Sequence, residues 1–447
     1  MRIRFFFALL LLAASVHASE DIRAILIDRI DAQQQGVGIV VGVIDPSGRR
    51  VVSYGTFAKD DKRAVDGDTL FEIGSTTKVF TSLLLADAVQ RGEVALTDPV
   101  SKYLPKDVKV PERSGKQITL QDLATHTSGL PRLPANLAPK DPLNPYADYT
   151  EQQLYDYLSH AELAHDIGTT YDYSNLGAGL LGHVLARRAG MSYEALVRKR
   201  VLEPLGMGST AITLGDAMKS RLAPGHDPAR NRAKNWDLPT LAGAGALRST
   251  ANDLLAFLAA ELGITKSPLA NAMAAQLAVR RPANTPALKI ALGWHVLTTP
   301  AGHEIVWHNG GTGGYRSFIA FDAKQKTGVV VLSNMFTNAG VDDIGMHLLD
   351  PSSPLATAAK TRKEIALDEQ TLQRYVGRYE LAPGFIITIT REGAHLFGQA
   401  TGQPRFEMFA ENDHEFFLKV VDAQITFNEN GLILHQNGAN APGKRIE

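Results

Sequence analysis

Phe71-Glu72-Ile73-Gly74-Ser75-Thr76-Thr77-Lys78, followed by the apolar run from Val79 to Val89, decides how the rest of the chain is read. Ser75 and Lys78 stand three apart at the start of a helical segment, which puts both side chains on one face and within reach of each other. A Ser hydroxyl is a poor nucleophile at neutral pH, and a desolvated amine beside it can take its proton. The helix N-terminus adds partial positive charge and free N–H groups where an oxyanion would form. This is the arrangement a serine acyl-transfer enzyme needs. The plainer alternatives are a Ser acting as helix N-cap and a solvated helix lysine. The apolar run after Lys78 argues for burial, which lowers a lysine pKa.

Outward from this helix, Val37 to Ile44, the turn Asp45-Pro46-Ser47-Gly48 and Val51 to Phe57 read as an antiparallel hairpin. Arg91 and Gly92 close the Ser75 helix. Helical periodicity dominates from about Leu120 to Leu262, with helices expected at Thr150 to His160, Leu176 to Ala189, Tyr193 to Val201 and Ser249 to Leu262. Thr119 with Asp122 three residues on marks a further helix start, and Leu130 to Pro145 reads as a surface loop. Strands return at Leu292 to Leu297, Glu304 to His308, Arg316 to Phe321 and Val329 to Ser333, before a helix from Ala339 to Leu349. Strands at both ends with helices between them imply an α+β fold: one antiparallel sheet closed by the two ends, plus an all-α subdomain, with a cleft between them. Residues 350–364 read as a linker. Seven short alternating segments from Tyr375 to Gln436 then predict a small all-β barrel or sandwich over 365–447, whose aromatic residues are read as core.

The whole chain narrows the function. With 447 residues and 44% hydrophobic content, two to three domains with real cores are expected. A net charge of -1 gives no reason to expect nucleic acid as a partner. Arg2, Arg4, the apolar block Phe5 to Val16 and Val16-His17-Ala18 make residues 1–18 a signal peptide cut after Ala18. That block is short of the roughly 20 residues needed to span a bilayer. An exported, periplasmic protein with no stable membrane span is the expectation. The absence of cysteine excludes thiolate zinc sites and Cys nucleophiles. No His-Glu-x-x-His zinc motif, Gly-x-Ser-x-Gly elbow or P-loop lysine occurs, so no metal or other cofactor is expected. His126 lacks a local partner and reads as a structural histidine.

A lone Ser-x-x-Lys carries little specificity. Here it is followed by Tyr173-Ser174-Asn175 and by His308-Asn309-Gly310-Gly311-Thr312-Gly313-Gly314, in that order. Leu123-Ala124-Thr125-His126-Thr127-Ser128-Gly129-Leu130 and Gly243-Ala244-Gly245-Ala246-Leu247-Arg248-Ser249-Thr250 accompany them. Together these stretches resemble the penicillin-recognising serine hydrolases, the superfamily of class C β-lactamases, DD-carboxypeptidases and related esterases, over about Ile22 to Leu349.

The resemblance implies a β-lactamase/transpeptidase-like fold and a role for each motif. Ser75 would attack the substrate carbonyl and form an acyl-enzyme, with Lys78 taking or relaying its proton. Tyr173 would act as general base, provided that Lys78 or His308 supplies positive charge, because a phenol starts near pKa 10. Asn175 would hold the substrate amide and orient Lys78. His308, Asn309, Gly310 and Gly311 would form a substrate-binding strand, with the N–H groups of Gly311 and Ser75 as oxyanion hole. A buried core tyrosine, a turn asparagine and a tight glycine turn are the plainer alternatives. His308 stands where lactamases carry the Lys of Lys-Thr-Gly, which weakens a specific β-lactamase reading and leaves acyl transfer untouched. The expected activity is cleavage of amide bonds in β-lactams or D-alanyl peptides. A carboxylesterase, or a penicillin-binding sensor that acylates without turnover, shares the same motifs.

Overall fold

The helix carrying the Ser75–Lys78 pair is the centre of the fold. In the computed structural model, which describes residues 21–356, 362, 364–382, 384–401, 405–419, 423–436 and 439–446, Gly74–Thr76 forms one 3₁₀ turn leading into helix α1, Thr77–Gln90. The expected signal peptide lies outside the described residues. All of α1 from Thr77 to Ala88 is buried, as an apolar run with no polar face requires. Arg91 caps it, and Gly92 follows at φ +68°.

The main sheet has eight strands: β1 (Gly38–Asp45), β2 (Gly48–Gly55), β3 (Arg281–Pro282), β4 (Leu288–Ile290), β5 (His295–Thr298), β6 (Glu304–Gly311), β7 (Arg316–Asp322) and β8 (Thr327–Ser333). Their spatial order is β2-β1-β8-β7-β6-β5-β4-β3. β1 runs antiparallel to β8, with Ile39 opposite Ser333 and Ile44 opposite Gly328. The early hairpin and the late strands therefore close one antiparallel sheet. Alternation along β1 feeds two cores. Val40 and Ile44 face the large core around α1, and Ile39, Val41 and Val43 face a second core with Phe318 and Ile344.

Helices α2 (Leu120–Ala124), α3 (Glu151–His160), α4 (Asn175–Ala189), α5 (Tyr193–Val197), α6 (Ala251–Glu261), α7 (Ala270–Ala278) and α8 (Asp342–Leu349) belong to the same unit, with a single helical turn at Asp216–Lys219 and two two-stranded ribbons beside them. Capping boxes at Thr119/Asp122 and Thr150/Gln153 start α2 and α3. α7 was not legible in the sequence: it is rich in Ala and has no capping side chain. The strand expected from Leu292 begins only at His295. The preceding Gly293 has φ +71°, and a Cβ there would stand 2.4 Å from Ser82 Oγ and 2.9 Å from Lys78 O, so the chain must bend closely past α1 first. β6 runs past His308 through Gly311, so the first two glycines of the run are strand, not turn.

Glu261, the last residue of α6, has both carboxylate oxygens buried without a hydrogen-bond partner, and burial pushes its pKa from 4.5 up to about 8. A raised acid pKa means that the folded state holds its proton while the unfolded state releases it, so stability falls as pH rises from about 4.5 to about 8. Glu261→Gln should remove that loss, on the order of a few kcal/mol at the upper end. Thermal unfolding should show a Tm gain of several degrees at pH 8 and little at pH 4.5. An equal change at both pH values would contradict the assignment.

The chain divides into two compact units, Met1–Ala356 and Thr357–Glu447. The second is a closed antiparallel barrel of β9 (Gly377–Ala382), β10 (Phe385–Glu392), β11 (His395–Ala400), β12 (Arg405–Ala410), β13 (Glu415–Phe417), β14 (Ala423–Asn428), β15 (Gly431–Gln436) and β16 (Ala439–Arg445), with α9 (Glu369–Gln373) preceding it. Leu372, Tyr379, Phe416 and Phe427 fill its core, and Tyr375 stacks on Phe427 at 4.3 Å. Among the described residues, no helix is long and apolar enough to cross a membrane.

Candidate active site

Strand β6 is pressed against the turn that carries Ser75. Gly74 has φ +48°, and a Cβ there would lie 2.7 Å from both the N and O of Gly311. A Cβ at Gly310 would lie 2.0 Å from Ile73 O. Only glycine allows this approach. Ser317 Oγ, on β7, donates to Ile73 O at 2.7 Å and pins the turn to the sheet. The backbones flanking Ser75 and Gly311 are thereby held in contact, as a two-donor oxyanion site requires.

Lys78 is 1% exposed, and its partners define its state. Its Nζ lies 2.9 Å from Ser75 Oγ, 2.9 Å from Asn175 Oδ1 and 2.8 Å from Ala244 O, and no carboxylate is among them. Burial, reinforced by the positive charge of Arg132, pushes its pKa well below the ordinary lysine value. A neutral amine has two N–H bonds and one lone pair. Nζ donates to all three oxygens in the protonated state; once the amine is neutral, the two carbonyl oxygens would keep its N–H groups and its lone pair would turn to the Ser75 hydroxyl. Asn175, the first residue of α4, is itself held by an Nδ2 bond to Tyr146 Oη at 3.3 Å.

Tyr173 places its ring 4.9 Å from Lys78 Nζ and hydrogen-bonds Ser75. Burial pushes its pKa up to about 12, against the opposing pull of Ser75 and Arg132. At neutral pH Tyr173 is a phenol, suited to giving a proton first and receiving one later.

His308 is wholly buried, with its ring 6.2 Å from that of Tyr173 and its Nδ1–H donating to Asn309 O at 2.6 Å. Burial, then its neighbours His295 and Lys78, hold its pKa well below the usual histidine value, so it is neutral. This corrects the expectation of direct substrate contact and of positive charge from this side chain: it stands behind Tyr173. The cations near the phenol are Lys78 when protonated and Arg132, whose guanidinium lies 5.2 Å from the ring.

Ser75, Tyr173, Asn175, Asn309, Gly310 and Gly311 all line one cleft of about 670 Å³. The sequence had not pointed to Arg132, Tyr146, Trp236, His295 or Arg316, which line it as well. His295 stacks on Trp307 at 4.6 Å and bonds Tyr171 Oη at 2.9 Å, and burial with the nearby Lys78 pushes its pKa down to about 4. His126 bears out its structural reading: its Nδ1 accepts from Ser174 N at 3.1 Å and its ring packs 4.5 Å from Tyr173, fixing the Tyr-Ser-Asn segment. Asn309 donates to Asp342, whose carboxyl burial pushes up to about 6. Among the described residues, no group of three or more His, Cys, Asp or Glu could hold a metal ion.

An antiparallel sheet, a helical layer and, at their junction, a serine hydroxyl 2.9 Å from a buried lysine amine make up the frame of a serine hydrolase. Residues 24–349 match the family model described as Beta-lactamase, and the chain belongs to that family. Residues 361–435 match a second model, described as a domain of unknown function. The D-alanyl-D-alanine-carboxypeptidase/endopeptidase AmpH of Escherichia coli K12 is 32% identical over 324 residues, covering 68% of this chain and 81% of that protein. A penicillin-binding protein of Bacillus subtilis is 25% identical over 426 residues, covering 88% of this chain and 92% of its own length. The solved class C β-lactamase of Rhodobacter sphaeroides superposes with a TM-score of 0.62 at 28% identity, covering 71% of this chain and 95% of that one.

Proposed function

We propose that this serine hydrolase opens the amide bonds of β-lactams or D-alanyl peptides through an ester on Ser75. The observation that carries the reading is the Ser75 hydroxyl set 2.9 Å from a buried Lys78 amine whose N–H groups are occupied by Asn175 and Ala244. The Ser75 proton passes to Lys78 Nζ as Oγ attacks the carbonyl carbon, and the developing oxyanion is held by the N–H groups of Ser75 and Gly311. Such donors are worth about 10² to 10³ in rate each. Tyr173 then gives its proton to the departing nitrogen and regains one from Lys78. In the second half, the same pair takes a proton from water, which attacks the ester and returns the hydroxyl to Ser75. The names of the β-lactamase and carboxypeptidase relatives support these substrates. The basic start and short apolar block before Ala18 support export to the periplasm, where such substrates are met.

A second reading, carboxylesterase, is favoured by His308: the position that holds a fixed cation in lactamases here carries a buried neutral imidazole. Turnover of a β-lactam, a D-alanyl-D-alanine peptide and a short-chain aryl ester separates the two. Hydrolysis of either amide supports the proposal. Hydrolysis of the ester alone transfers the assignment to the esterase, and a lasting mass increase without turnover makes the protein a sensor.

A further inference from the structure

Ser75 sits between two arginines to which the chemistry above assigns no contact with the substrate. On the sheet side, Arg316 lies beside Gly311, its Nη1 3.0 Å from where a Cβ at that glycine would stand. Its Nε donates to Thr337 O at 2.8 Å, its guanidinium lies 4.1 Å from the Phe336 ring centre, and Asp342 supplies a nearby negative charge. On the helical side, Arg132 lies over Tyr173, the residue that bonds Ser75.

The backbone at Arg132 is built into the site. Its carbonyl accepts from the N–H groups of Asn175 at 3.0 Å and Leu176 at 3.2 Å, donors that the start of α4 cannot satisfy within the helix. The carbonyl of Pro131 accepts from Ser174 Oγ at 2.7 Å. The loop is thus clamped to the Tyr173-Ser174-Asn175 segment, while the Arg132 side chain remains exposed at the cleft. Among the described residues, no carboxylate pairs with Arg132, and no Asp or Glu lines the cleft. The wall around it is largely apolar, formed by Leu133, Leu137, Tyr146 and Trp236, and Leu133 is 38% exposed. A guanidinium beside apolar surface, with its donors free, is a site for a carboxylate.

We propose that Arg132 selects the substrate by pairing with a carboxylate on the part held against the helical wall, so that the preferred acyl donors carry negative charge on that side of the scissile bond. The proposal rests on the acyl-Ser75 reading of the site. It goes beyond that reading by naming the chemical class of the group flanking the bond.

The test compares kcat/KM for N-succinyl and N-acetyl forms of one D-alanyl-D-alanine peptide, which share the scissile bond and differ by one carboxymethyl group. Any influence of Arg132 on Tyr173 cancels in the ratio. The protein should favour the succinyl peptide by about tenfold or more, and added salt should shrink the preference. Arg132→Gln should bring the ratio near one, and Arg132→Lys should keep part of it. A ratio near one for the unaltered protein, or a ratio that Arg132→Gln leaves unchanged, overturns the proposal. The same comparison with the aryl esters of succinate and acetate reads Arg132 independently of amide cleavage. Failure on peptides with a retained ester ratio therefore sinks the amidase reading alone. If neither pair is turned over, the reading of the site fails and the Arg132 proposal fails with it.

Discussion

Lys78→Met should slow acylation of Ser75 by about 10² to 10⁴-fold, the range a positioned general base supplies. The Lys78 amine lies 2.9 Å from the Ser75 hydroxyl and, when unprotonated, has a lone pair to receive its proton. Its pKa is held well below the ordinary lysine value by burial first and Arg132 second, which favours the unprotonated amine that a general base needs. Met fits a similar volume but can neither take a proton nor bond Asn175 and Ala244. Removing a buried amine should also leave the fold at least as stable, because desolvation of that group works against folding. The pairing of a large kinetic loss with an unchanged or raised Tm separates a catalytic role from a structural one. Single-turnover acylation within tenfold of the unaltered rate would contradict the assignment. As pH falls, activity should be lost as Lys78 gains its proton, in a range well below that of an ordinary lysine.

Tyr173→Phe should have the next largest effect, about 10²-fold or more on amide turnover. Phe keeps the ring that packs against His126 and lies beside Lys78 and Arg132, so the loss isolates the hydroxyl. An amide nitrogen must be protonated to leave, whereas a nitrophenolate leaves without help. The acylation step with a nitrophenyl ester should therefore be much less affected than acylation by the peptide. Equal losses on both would contradict the proton-donor role. Because burial pushes the Tyr173 pKa up to about 12, the phenol stays protonated through the neutral range, and no alkaline decline from Tyr173 should appear below about pH 11.

Much of this site was legible before any coordinates. Ser75 and Lys78 are three residues apart on one helix, so their meeting is a local matter. Tyr173 and Asn175 announce themselves as a short motif at a helix start, where a polar side chain has reason to be placed. What stayed hidden depends on contacts made across the chain. Ala244 gives Lys78 only a backbone carbonyl, which leaves no trace in residue type. Arg132 sits in a loop whose course is set by the unpaired N–H groups of α4. His295 belongs to an ordinary strand and enters the site because Gly293 bends the chain against α1. His308 was found by position and misread in role. Its charge and exposure depend on packing among Tyr173, His295 and Asn309, and sequence spacing carries no information about that. In the barrel, alternation exposed seven strands, while Pro442 and Gly443 masked the eighth, β16.

The central claim is the ester on Ser75. Acid-quenched intact mass spectrometry, with the protein mixed in turn with the β-lactam, the D-alanyl-D-alanine peptide and the aryl ester, tests it most directly. The account predicts an adduct with the mass of the acyl group, located by peptide mapping to the segment containing Ser75 and absent from Ser75→Ala together with turnover. An adduct on another residue, or turnover that survives in Ser75→Ala, would contradict it.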